Sequence, residues 1–155
     1  MQWAFAPLAT PPPGSQCALA VSCQVLGERI TILANHGQTG SYEVYLHDAP
    51  QGVGPPPHFH PLDEAFYVID GAVDFDCAGT LKKVTAGGFV HVPAGMVHSF
   101  RYASPTARVL GITSGAGASE LFAAIDRECP GAAPDMGKLM GVLSGHQVGL
   151  GGQPA

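Results

Sequence analysis

The stretch GVGPPPHFHPLDEAFYVIDG, residues 52–71, decides the reading of this chain. A stiff proline run leads into His58, one further residue, and His60. On an extended strand residues i and i+2 point to one face, so the two imidazoles can be presented to the same side. Pro61 predicts a bend, after which Glu64 enters a new extended run and shares a face with Phe66 and Val68. A second histidine-bearing stretch, GGFVHVPAGMVHSF, occupies residues 87–100, and in it His98 opens a strand behind a turn at Pro93 and Gly95. Three imidazoles and a carboxylate suit one divalent transition ion such as Fe, Ni, Mn, Cu or Zn. Three or four protein ligands on a six-coordinate ion leave positions for water, dioxygen or substrate.

Outward from that stretch the chain reads as strands. Upstream, CALAVSCQVLG, ERITILAN and SYEVYLH are short, β-branched or aromatic, and bounded by Gly, Asn or Asp. In the last of these Tyr42, Val44 and Leu46 alternate with Glu43, Tyr45 and His47. Downstream come HFH, EAFYVID, AVDFDCA, LKKVTA, GFVHV, HSFRY and ARVLGIT, separated by glycines and prolines. Many short strands with such punctuation predict an all-β sandwich or barrel over residues 18–114. Residues 1–17 form a Pro-rich arm expected to lie extended. Residues 115–155 are expected to be a helical segment and tail packed on the barrel. Ser119 is placed to cap a helix through ELFAAIDREC, whose apolar stripe is Leu121, Phe122, Ile125 and Cys129. Asp135 is placed to cap a second helix through MGKLMGVLS, closed by Gly145, and the tail GLGGQPA is expected to be loose.

Composition narrows the partners. The 155 residues carry a formal charge of −5, which argues against nucleic acid and against an anionic membrane surface. Charged residues are 12% of the chain and hydrophobic ones 46%, leaving little polar material to cover a small sphere, so a homodimer is expected. The N-terminus lacks a basic start and its apolar residues are broken by prolines, so no secretory signal is read and a cytoplasmic location is expected. The four cysteines, Cys17, Cys23, Cys77 and Cys129, form no CxxC pair and are read as reduced thiols, Cys77 as a small core residue.

Phe66, Val68, Phe100 and Tyr102 share parity with Glu64 and His98 and are the expected pocket walls. His91 could face the pocket as a hydrogen-bond donor or sit on the surface. His47 is expected as a solvated strand end, His36 and His146 in loops, Arg101 facing away from the metal, and Asp74 and Asp76 in solvent. No Ser-His-Asp arrangement is legible, and GQTG and GAGAS lack the context of a phosphate loop.

These residues resemble the cupins. The first cupin motif, G-x5-H-x-H-x3,4-E-x6-G, is filled at every fixed position by Gly52, His58, His60, Glu64 and Gly71. The second, G-x5-P-x-G-x2-H-x3-N, is filled by Gly87, Pro93, Gly95 and His98, with Tyr102 in place of the final Asn. The resemblance implies a double-stranded β-helix, the cupin jelly roll, with one metal held by His58, His60, Glu64 and His98. Within the family, PPPHFHPLDEAFYVIDG followed by HVPAGMVHSFR looks most like small bacterial quercetin 2,3-dioxygenase-like proteins. That likeness implies a metal-dependent dioxygenase acting on a small enolic or aromatic substrate, with Glu64 as ligand and base. The alternatives are a metal-dependent lyase or isomerase, in which the metal polarises a carbonyl, and a non-enzymatic metal or small-ligand binder.

Overall fold

The computed structural model describes residues 20–151, so the N-terminal arm, Cys17 and the last four residues lie outside it. The first strands are β1 (Val21–Val25), β2 (Glu28–Ala34) and β3 (Tyr42–Pro50), with a single helical turn, α1 (His36–Thr39), between the last two. Then follow β4 (His58–Phe59), β5 (Glu64–Asp70), β6 (Ala72–Cys77), β7 (Thr80–Thr85), β8 (Phe89–Val92), β9 (His98–Tyr102) and β10 (Thr106–Ser114). Helices α2 (Ala118–Glu128) and α3 (Met136–Gly145) and the short strand β11 (Gly149–Leu150) complete the described residues.

The strands form two antiparallel sheets, ordered β1-β2-β3-β10-β5-β8 and β11-β4-β9-β6-β7. Phe66 of the first sheet meets Phe75 and Phe100 of the second at ring-centroid distances of 5.2 and 5.3 Å, so the sheets face each other across an aromatic layer. This is the expected all-β jelly roll with C-terminal helices. Its core has two parts. Phe66, Val68, Val73, Phe75, Phe100, Tyr102 and Val109 fill the space between the sheets. Cys23, Val25, Ile30 and Tyr45 meet Ile125, Cys129, Leu139, Val142 and Leu143 where the helices cover one end.

In β3 it is Glu43, Tyr45 and His47 that are buried, while Val44 and Leu46 lie on the outer face. The interior can take this polar set because each member finds a partner there. Space is made for it too: a Cβ on Gly111, across the ladder on β10, would stand 2.2 Å from the Tyr45 ring.

Glu43 also corrects the expected start of α2. The helix begins at Ala118 with Gly117 at the cap position, so Ser119 lies inside the first turn. One free amide is met from outside the helix: Glu43 accepts from Ser119 N at 2.9 Å and from the Ser119 hydroxyl, and it also accepts from His36 N, at the start of α1, at 3.1 Å. A buried carboxylate at a helix N-terminus is favoured by hydrogen bonding and by the helix dipole together. Glu43→Ala should therefore lower stability by about 2–3 kcal/mol, since hydrogen bonds to a charged group are worth more than neutral ones. Thermal melting checks this, and an unchanged midpoint would mean that water replaces the carboxylate.

Two further expectations need correction at the C-terminal end. Asp135 caps α3 as predicted, accepting from Lys138 N at 3.0 Å, but Gly145 is the last helical residue and the left-handed turn falls on Gln147 at φ 61°. The tail is not loose at its start. Gly149 pairs with Phe59 and Leu150 with His58, giving β4 a second neighbour. Among the described residues no helix is long and apolar enough to cross a membrane.

Candidate metal centre

The fold delivers His58 and His98 from two adjacent strands and His60 from just beyond the first of them. His58 and His98 face each other in the β4–β9 ladder, with ring centroids 4.2 Å apart. The chain leaves β4 before His60, whose ring reaches back to within 5.1 Å of His98. One ring nitrogen from each lies within 4.8 Å of the other two. Glu64 arrives from the facing sheet, its Oε2 standing 3.1 Å from His60 Nε2 and 3.3 Å from His98 Nε2.

The outward nitrogens are all held in the same way. His58 Nδ1 meets the Pro56 carbonyl at 2.9 Å, His60 Nδ1 the Leu62 carbonyl at 3.0 Å, and His98 Nδ1 the Met96 carbonyl at 2.9 Å. A carbonyl only accepts, so each Nδ1 carries a proton and each Nε2 is the nitrogen turned inward, where His60 donates to Glu64 as long as no ion takes the proton's place. Three converging ring nitrogens beside a carboxylate suit a positive species among them, a role the proton between His60 and Glu64 fills in part. His98 Nε2 is buried without a hydrogen bond, its approach to Glu64 lacking the geometry of one. These donors fit a divalent transition ion, with backbone carbonyls supplying the orienting partners that metal-bound histidines require.

The electrostatics without an ion are consistent with that fit. Burial and the neighbouring His98 push the His58 imidazole down to about 4, so it is neutral at ordinary pH and free to donate its lone pair. Burial would lower His60 as well, but its hydrogen bond to Glu64 raises it overall. Burial would raise Glu64, yet His60, His98 and the Tyr45 hydroxyl outweigh it and hold the carboxyl well below the usual range. Tyr45, pushed far up by burial and by the Glu64 charge, stays protonated and donates to Glu64 Oε1 at 2.6 Å.

His58, His60 and Glu64 form part of the wall of a cavity of about 380 Å³ between the sheets and the C-terminal helices. Its remaining wall is largely apolar, including Leu121, Phe122, Leu139 and Leu143. Of the expected pocket walls, Phe100 lines it. Phe66, Val68 and Tyr102 instead belong to the packed layer between the sheets, because inward parity in a barrel leads to the core as readily as to the cavity. His91 is on the outer face, its side chain 56% exposed and 3.5 Å from Asp63. Arg101 is exposed and donates to the Gly52 carbonyl at 3.1 Å. His47 is not a solvated strand end: it is buried and lines the cavity, paired with Glu28 at 2.8 Å. His146 follows α3 and also lines the cavity, while His36 begins α1. Tyr45 and Glu28 were not anticipated as site residues. The signal for Tyr45 was its shared parity with Glu43 and His47, an inward set too polar for ordinary core.

The strap before His58 is fixed by backbone contact. Gly52 N donates to the Tyr102 carbonyl at 2.8 Å and Tyr102 N to the Val53 carbonyl at 3.0 Å. Gly54 then passes so close to β9 that a Cβ on it would lie 2.0 Å from the Phe100 carbonyl oxygen.

The family model for the cupin domain matches residues 44–112. The quercetin 2,3-dioxygenase of Bacillus subtilis (strain 168) is 29% identical over 97 residues, 61% of this chain; the match spans 29% of that relative's length. Among solved structures, KdgF from Halomonas sp. superimposes with a TM-score of 0.56 at 21% identity, over 61% of this chain and 84% of that one. The polyketide cyclase RemF from Streptomyces resistomycificus does so with a TM-score of 0.54 at 20% identity, over 61% and 73%. Family model, two-sheet architecture and histidine trio lead to one conclusion: residues 44–112 form a cupin domain.

Proposed function

We propose that the protein is a metal-dependent oxidoreductase of the dioxygenase type, acting on a small enolic or aromatic compound of the quercetin kind. The observation that carries this is the inward turn of three Nε2 atoms toward buried Glu64, with His58, His60 and Glu64 in the wall of a largely apolar cavity. His58, His60 and His98 would hold a divalent ion, with Glu64 as fourth ligand. When bound, such an ion supplies Lewis acidity that eases loss of a proton from an enol hydroxyl. Glu64 Oε2 then accepts that proton while Tyr45 keeps Oε1 occupied and so fixes the carboxylate plane. The apolar walls exclude competing water. Likeness to the Bacillus subtilis enzyme supports the choice of substrate class.

Oxygen-electrode measurements on the metal-loaded protein with quercetin test this. Uptake should require metal and fall by about 10²–10⁴ in Glu64→Ala, the usual share of a general base. Intact uptake in that variant would sink the assignment of Glu64, and turnover that proceeds without oxygen would replace the dioxygenase with a lyase or isomerase.

A second copy of the chain is proposed as a partner. Leu46, Leu110, Tyr67 and Phe89 stand opposite one another across four strands on the outer face of the six-stranded sheet. Such an apolar row on a sparsely charged chain supports a covered face. A light-scattering mass of one chain would overturn it.

A further inference from the structure

The cavity wall carries a second polar group that metal binding does not use. His47 projects inward from β3 and is 4% exposed. Its Nδ1 lies 2.8 Å from Glu28 Oε2, which also accepts the Tyr102 hydroxyl at 3.1 Å. Glu28 is itself buried. Because a carboxylate only accepts, Nδ1 is a protonated nitrogen, and in that tautomer Nε2 is the acceptor atom of the ring. That Nε2 is buried and has no hydrogen-bond partner among the described residues. The rings of Tyr45, Phe66, Phe100 and Phe122 surround His47 at centroid distances of 5.1, 6.1, 5.9 and 6.2 Å. They fix the imidazole and offer Nε2 nothing polar. A buried acceptor left unmatched is costly, and buried polar atoms are ordinarily paired. Here the residue opens onto the cavity.

We propose that His47 Nε2 is a ligand anchor that accepts a hydrogen bond from a hydroxyl group of the molecule occupying the cavity. The ligand class is then a small, mainly apolar phenol or enol bearing one hydroxyl apart from the group offered to the histidine trio. The Tyr45 ring sets the separation: its hydroxyl is bonded to Glu64, and its ring stands edge-on to His47. Glu28 and Tyr102 are positioning residues, holding the tautomer that makes Nε2 an acceptor. The two-point ligand rests on the metal-centre proposal, whereas the acceptor itself does not.

The experiment follows the histidine ring nitrogens by NMR in ¹⁵N-histidine-labelled, zinc-loaded protein titrated with phenol, with toluene as the hydroxyl-free control. Phenol should move the His47 Nε2 resonance and bind about tenfold tighter than toluene, the net worth of one buried hydrogen bond. His47→Phe should bring phenol down to the affinity of toluene. Glu28→Gln, which allows the amide to donate to Nδ1, should convert the His47 tautomer and weaken phenol while leaving toluene unchanged. An Nε2 resonance unmoved by phenol, or equal affinities for phenol and toluene in the wild type, overturns the anchor. Oxygen uptake plays no part in these measurements. A phenol response in a protein that consumes no oxygen would therefore keep the anchor and discard the oxygenase.

Discussion

Alanine at position 98 should leave the purified protein without its metal. Plasma mass spectrometry of freshly purified wild type is expected to find close to one equivalent of a divalent transition ion, and His98→Ala close to none. Loss of a mere orienting partner commonly costs 10–100-fold in metal affinity, so removal of a ligand should cost on the order of a hundredfold or more. The geometry makes His98 the most exacting of the three. Its side chain is fully buried, it faces His58 across the ladder, and its Nε2 has no hydrogen bond to fall back on. Without it, His60 and Glu64 retain their own 3.1 Å contact and can close on each other. Iron, nickel, manganese or copper in the wild type would support oxygen chemistry. Zinc alone would move weight to a lyase or a structural role. Undiminished metal in His98→Ala would remove the histidine trio as the site.

Gly54→Ala should be the most damaging methyl group that can be added to the strap. A Cβ there meets the Phe100 carbonyl oxygen at 2.0 Å and its carbon at 2.9 Å, both backbone atoms of β9, and the position already has φ 148°. No side-chain rotation relieves such a contact. Strap and strand must separate, and with them His58 and His98. A cost of about 3 kcal/mol is expected, from combined backbone strain and lost packing. Gly52→Ala is the control: it also has positive φ, 85°, but nothing lies within 4 Å of its Cβ. Left-handed strain alone predicts about 1 kcal/mol there. Denaturant midpoints distinguish the two, and equal losses would mean that the close approach at Gly54 is not the cause.

Much of this molecule was legible beforehand because its signals are local. Glycine and proline punctuation marked the strands, and the spacing of His58, His60, Glu64 and His98 marked the centre. What escaped depends on contacts distant in sequence. Ser119 is a good capping residue by type, but Glu43 on β3 accepts from its amide and hydroxyl, and the helix begins two residues earlier than expected. His47 sits where a strand could be running out into solvent, and only Glu28 and the covering helices make its position an interior one. Strand parity assigns Phe66, Val68, Phe100 and Tyr102 to one side, but it cannot divide that side into packed layer and cavity. The glycine-rich tail carries no propensity for a strand, and β4 recruits it through backbone pairing alone.

That recruitment bears on how the molecule matures. The two-residue strand holding His58 is flanked by β9 on one edge and by Gly149 and Leu150 on the other. Loops that bring together segments so far apart in sequence close late, since their entropy must be met before the contacts reward it. The second edge of the strand holding His58 is therefore expected to be paired later than the hairpins formed by neighbouring strands. Metal uptake followed during refolding, in the full chain and in one ending before Gly149, is expected to be slower in the shortened chain, whose β4 has β9 alone beside it.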